Sequence, residues 1–144
     1  MSDVVATGGG LSDVAVRIAR PSADLRAAEE FWVEGAGLKV LWRVQPGGGA
    51  EHALLMVGAP GARWHLELVE DPRTLAEHPP SAEDLLVFYL GAEVPAPWVE
   101  RLLTHGGQRV AARNPYWDQW GLTIRDPDGY LLVLSTRAWD PQSA

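Results

Sequence analysis

The chain has 144 residues, 47% of them hydrophobic and 22% charged, with no cysteine and a formal net charge of −7. That length suits one domain, and the lack of cysteine excludes disulfides, thiolate metal sites and thiol nucleophiles. The acidic balance argues against nucleic acid, whose phosphates need clustered Lys and Arg. No run reaches the ~18 apolar residues of a membrane span, and a start without a basic-then-apolar leader predicts a cytoplasmic protein.

In chain order, residues 1–12 are small, polar and Gly-rich and are expected to form a loose tail. Val14 to Arg20 reads as a strand with Val14, Val16 and Ile18 on one face. Ser22 is the expected N-cap of a helix running to about Glu34, in which Leu25, Ala28, Phe31 and Trp32 form an apolar stripe. Gly35 and Gly37 end it. Strands are expected at Leu38–Val44, His52–Val57 and Arg63–Val69, separated by turns at Gly47-Gly48-Gly49 and Gly58-Ala59-Pro60-Gly61. Residues 71–83, rich in proline and charge, read as a linker.

The same order then returns. Leu85–Leu90 reads as a strand, Pro97–His105 as a short helix stopped by Gly106-Gly107, and Gln108–Arg113, Trp120–Arg125 and Tyr130–Thr136 as strands. The pattern is a tandem βαβββ repeat with modules at 13–70 and 84–137 and a short tail at 138–144. A repeat too short to bury its own sheet face packs against its neighbour, so one domain is expected. Laying Gly37-Leu38-Lys39-Val40 over Gly107-Gln108-Arg109-Val110 places Ala15 opposite Leu85; laying Trp64–Leu68 over Tyr130–Leu134 places Glu67 opposite Val133.

Several segments carry a resemblance: Val16–Leu25, Phe31-Trp32 through Gly37-Leu38, His65-Leu66-Glu67-Leu68 and Asp126-Pro127-Asp128-Gly129. With the tandem order, they resemble the vicinal-oxygen-chelate superfamily of glyoxalases, extradiol dioxygenases, and fosfomycin- and bleomycin-resistance proteins. The resemblance implies an α+β fold in which tandem βαβββ modules form a cupped mixed sheet with helices outside. It also implies a divalent metal held by the first and last strands of each module. On this chain the implied ligand positions fall at Ala15, Glu67, Leu85 and Val133, and only Glu67 has a donor. No metal and no other cofactor is therefore expected.

Strand alternation assigns faces. Trp64, Leu66 and Leu68 are expected to face the helix, leaving Arg63, His65, Glu67 and Val69 for the cup, together with Ala15, Arg17 and Ala19. On the second module the cup side receives Leu85, Val87, Tyr89, Leu131, Val133 and Ser135. Such an inner wall, polar on one side and apolar on the other, suits a small-ligand pocket.

Glu67 beside His65 is the sharpest chemical pair, and four readings stand open. Glu67 is a general base, a contact for a charged or polar ligand group, part of a metal site completed by His65 and His52, or a carboxylate neutralised by Arg17 or Arg63 with His65 hydrogen-bonded nearby. Tyr116, Trp117 and Trp120 are candidates either for a cavity wall or lid that stacks a cationic ligand or for a core or dimer contact, with Asp118 as a turn cap or polar contact with the ligand. Trp32 and Trp42 are expected in the core.

The leading function is binding of a small organic ligand, cationic or aromatic in character, without the family's metal. The resemblance to the bleomycin-binding branch implies a homodimer with shared clefts. The alternatives are a metal-dependent lyase, isomerase or dioxygenase built around Glu67, and an interaction module whose cups are filled by side chains.

Overall fold

The computed structural model describes residues 10–47 and 51–140. The residues expected as an N-terminal tail therefore lie mostly outside the described residues, as do Gly48 and Gly49 of the triple-glycine turn. In the first module the strands are β1 (Val16–Ser22), β2 (Lys39–Val44), β3 (Leu54–Gly58) and β4 (Trp64–Glu70). In the second they are β5 (Leu85–Tyr89), β6 (Gln108–Val110), β7 (Gly121–Arg125) and β8 (Leu131–Ser135). Each set forms a four-stranded mixed sheet, ordered β1-β4-β3-β2 and β5-β8-β7-β6, with the first and last strands of the module parallel. This is the α+β tandem of βαβββ modules that the sequence pattern predicts. No helix among the described residues is long and apolar enough to cross a membrane.

The first crossover helix, α1 (Leu25–Glu29), starts two residues later than expected. Its N-cap is Asp24, whose Oδ1 accepts from the backbone N–H groups of Arg26 at 3.0 Å and Ala27 at 3.4 Å. Ser22 sits two residues earlier, buried, with its Oγ accepting from Asp24 N. A carboxylate at the cap also suits the positive end of the helix dipole. Asp24→Ala is expected to cost about 1 kcal/mol in urea denaturation, while Ser22→Ala leaves the capping bonds in place. The helix runs on as a π-helical stretch, Glu30–Gly35, closed by Ala36 N to Phe31 O at 2.8 Å. The wider turn buries the consecutive rings of Phe31 and Trp32 together.

Two short helices depart from expectation. The segment read as a linker contains α2 (Pro72–Glu77), capped by Asp71, which accepts from both Thr74 N and Thr74 Oγ1. The connection into β7 contains α4 (Pro115–Gln119), capped by Asn114. Both begin with the same chemistry, an Asx cap followed by proline at the first helical position. Between them lies α3 (Ala96–Thr104), the second crossover helix.

The helix-covered faces of the two sheets share one core. Leu55, Val57, Leu66 and Leu68 of the first sheet join Ile124, Leu132 and Leu134 of the second, with Phe31, Trp32 and Leu102 between them. Trp64 of β4 meets Phe88 of β5 with ring centroids 5.5 Å apart. The helical layers are tied by Trp98 Nε1 donating to Ala36 O and by Arg101 donating to Glu34 O. Because both sheets turn their covered faces inward to this core, their other faces point away from each other. Trp42 is not in it: its side of β2 is the outer one, and the residue is 61% exposed.

Candidate functional site

The outer face of the first sheet is set by strand register. Arg17, His65, Gly58 and Lys39 form one row across β1, β4, β3 and β2, and Ala19, Glu67, Met56 and Trp42 form the next. The register slips between Val40 and Trp42, and Leu41, at this irregularity, lies over Gly58. A Cβ on Gly58 would come within 2.9 Å of Leu41 Cδ1, so the missing side chain makes room for that leucine. The result is a surface of Leu41, Trp42 and Met56 beside a polar cluster of Arg17, His65 and Glu67.

Within the cluster, Arg17 Nε donates to His65 Nε2 at 3.0 Å and Arg17 Nη1 donates to Glu67 Oε2 at 3.2 Å. His65 therefore presents a lone pair at Nε2. The Arg17 side chain is 51% exposed, against 16% for Glu67. Two other expected members lie elsewhere. Arg63 donates to the carbonyl of Asp13 at 2.6 Å. His52 precedes β3, with its Nε2 3.9 Å from Asp71 Oδ2. Of the two neutralising partners considered for Glu67, the structure selects Arg17.

The outer face of the second sheet carries Leu85, Val87 and Tyr89 of β5 in register with Leu131, Val133 and Ser135 of β8. Tyr89 is flanked by Trp117 at 6.4 Å and Trp139 at 5.8 Å between centroids, and Tyr116 packs edge-on against Trp117. Trp139, the second residue of the expected C-terminal tail, was not among the sequence candidates; the only signal for it is a large aromatic four residues past the last strand. Asp118 accepts from Ala112 N through both carboxylate oxygens, which makes it a loop brace. Trp120 closes α4, and the Arg137 guanidinium lies 4.6 Å above its ring. At the far end of this face a cavity of about 370 Å³ opens where Val110, Arg125 and Leu131 meet residues 79–82. The sequence candidates thus separate into a polar cluster on one outer face and an aromatic wall on the other.

The strand pairing also corrects one implied ligand position. Ala15 precedes β1, and the β1 residue whose side chain reaches Glu67 is Arg17. The two sheets are internally equivalent: Arg17 pairs with His65 as Leu85 pairs with Leu131, and Ala19 with Glu67 as Val87 with Val133. The position equivalent to Leu85 is therefore Arg17, two residues from the one obtained by aligning loops. A guanidinium has no lone pair to give a metal, and Leu85 and Val133 have no donor. Glu67 alone remains, with His65 beside it and its Nε2 already accepting from Arg17. These residues do not fit the family's divalent ion, and no group of three His, Cys, Asp or Glu able to hold one occurs among the described residues.

The comparisons with known proteins agree with this architecture. Residues 16–69 match the model of the YycE-like N-terminal domain, and residues 83–136 match that of the YycE-like C-terminal domain. The chain belongs to the YycE-like family. It is 36% identical over 120 residues to the uncharacterized protein YycE of Bacillus subtilis, covering 83% of this chain and 85% of that protein. The crystal structure of Bacillus subtilis YycE, described as a putative glyoxalase/fosfomycin resistance protein of unknown function, superposes with a TM-score of 0.73 at 32% identity, covering 89% of this chain and 93% of that one. TnmS3, an antibiotic binding protein from Streptomyces sp. CB03234, superposes with a TM-score of 0.58 at 26% identity, covering 89% and 98% of the two chains. This YycE-like chain therefore has the glyoxalase/bleomycin-resistance fold of the vicinal-oxygen-chelate superfamily, with Arg17 at the first-strand position where the sequence resemblance implies a ligand.

Proposed function

We propose that this YycE-like protein binds a small organic ligand, with an aromatic portion, in a cup that two copies of the chain build together and without the superfamily's metal. One observation carries the reading: the polar cluster of Arg17, His65 and Glu67 and the aromatic wall of Tyr89, Trp117 and Trp139 lie on faces that point away from each other. A two-fold pairing that sets the first sheet of one copy against the second sheet of the other joins both walls, twice per dimer. The exposed Leu41, Trp42 and Tyr89 are the apolar surface such a pairing covers. The antibiotic-binding role named for TnmS3 lends the binder reading support from a relative of the same fold.

An enzyme built on Glu67 and a metal finds no supporting geometry, because Arg17 engages Glu67 Oε2 and His65 Nε2, and His52 is with Asp71. A cationic ligand is disfavoured by the same contact, since Glu67 already has its counter-charge. The expected result in sedimentation equilibrium is a dimer that Trp42→Glu converts to a monomer, by placing an unpaired charge in the covered surface. In two-dimensional NMR, aromatic ligands should shift the indole resonances of Trp42 and Trp117 together. A monomeric native protein whose Trp42 and Trp117 respond separately would rule the shared cup out.

A further inference from the structure

We infer that Arg17 takes the place of the metal as the resident cation of the cup, and that the ligand it receives carries an anionic oxygen pair such as a carboxylate. This rests on the small-molecule reading of the cup and names the ligand class for it. Arg17 is held from two sides: Nε donates to His65 Nε2 and one N–H of Nη1 donates to Glu67 Oε2. These bonds fix the plane of the guanidinium, and Nη2 has no hydrogen-bond partner among the described residues. With half of its side chain exposed on the outer face, the group keeps the second N–H of Nη1 and both N–H groups of Nη2 as donors for two oxygens on one carbon or phosphorus.

The charges on that face agree. Lys39 lies in the same row as Arg17, and Glu67 is the one strand-borne acid among the rows of Arg17 and Glu67, so these rows carry a net single positive charge on a chain of net charge −7. Trp42 and Met56 continue the Glu67 row with apolar surface for the rest of the molecule. A metal would attract the same oxygens, but it would need the lone pairs that Arg17 now occupies. Arginine keeps the cation without the ligand set.

The test uses native protein and three probes of one shape: benzoate, benzyl alcohol and benzylamine, titrated against the amide and indole resonances of the first sheet. Benzoate is expected to bind tightest, with shifts centred on Arg17 and Trp42. Arg17→Gln should weaken benzoate about tenfold to a hundredfold, the worth of a charge-assisted pair, leave benzyl alcohol unchanged, and keep the native amide spectrum elsewhere. Arg17→Lys, which retains charge and loses the fork, should fall between. Equal binding of the three probes, preference for benzylamine, or benzoate binding indifferent to Arg17→Gln overturns the inference while leaving the cup as a small-molecule site. Absence of saturable binding by all three removes both readings. One equivalent of Ni²⁺ added to native protein should leave the Ala19, His65 and Glu67 amides sharp; selective broadening there would show that Arg17 yields the position to a metal.

Discussion

Phe31→Ala is expected to lower the stability of the chain by about 4 kcal/mol, the loss typical of emptying a fully buried phenylalanine site. Phe31 has no exposed surface and lies edge-on to Trp32, with centroids 4.9 Å apart. It belongs to the first module but reaches the second: a Cβ on Gly107 would come within 2.9 Å of Phe31 Cε1 and 2.6 Å of Leu102 O. The absence of a side chain at 107 is therefore what lets the two modules close on this ring. A cavity here has walls from both modules, and packed walls relax only in part. Urea denaturation followed by tryptophan fluorescence reads the loss. A change below about 1 kcal/mol, the scale of a surface substitution, would mean that the modules do not share this core, and the opposed directions of the two outer faces would lose their basis.

Acidification from about pH 7 to about pH 4 is expected to stabilise the fold through Asp126, by up to about 3 kcal/mol for a shift of some two pH units. Burial raises the Asp126 carboxyl from an ordinary 3.8 to about 6, more than offsetting the hydrogen bonds from Tyr130 N and Asp128 N and the nearby Arg20. The folded value lies above the unfolded one. The stabilisation is thus complete below the unfolded value and is lost as the pH rises through the folded one. Glu29 and Asp71 are held below their ordinary values by Arg43 and Thr74 respectively, and they act in the opposite sense at lower pH. The quantity to compare is therefore native minus Asp126→Asn, a variant that keeps an Oδ1 acceptor for both backbone N–H groups and removes the charge. That difference should move in favour of the native protein between about pH 8 and about pH 5; a flat difference would place the titration elsewhere.

The buried group has a structural reason. Asp126 opens the Asp126–Gly129 turn, where Gly129 has φ +97° and Gly129 N bonds Asp126 O at 3.0 Å. The next carboxylate, Asp128, accepts from Ala23 N across the module boundary. Arg20 lies 4.4 Å above the Tyr130 ring, with its Nη1 buried and lacking a hydrogen-bond partner. The same turn that marks the last strand in the sequence thus also joins the modules.

What the amino-acid order determined by itself is everything with a short range. Alternation placed Arg17, His65 and Glu67 on one side of their strands and Leu66 and Leu68 on the other, because side chains in a strand alternate whatever the strand packs against. The tandem order and the Asp-Pro-Asp-Gly turn were legible for the same reason. The helices at Pro72–Glu77 and Pro115–Gln119 were also within reach, since each carries an Asx cap and a proline, but both are too short to show helical periodicity. Only the tertiary structure decided which residues meet. The parallel pairing of β1 with β4 joins positions 48 apart, and its register comes from how the intervening helix seats on the core, not from any local signal. That register puts Arg17, and not Ala15, against Glu67. The exposure of Trp42 and the opposed directions of the two outer faces follow from the packing of one module on the other. Composition reports that these residues are apolar or charged, and only the shared core settles which of them are left exposed on the outer faces.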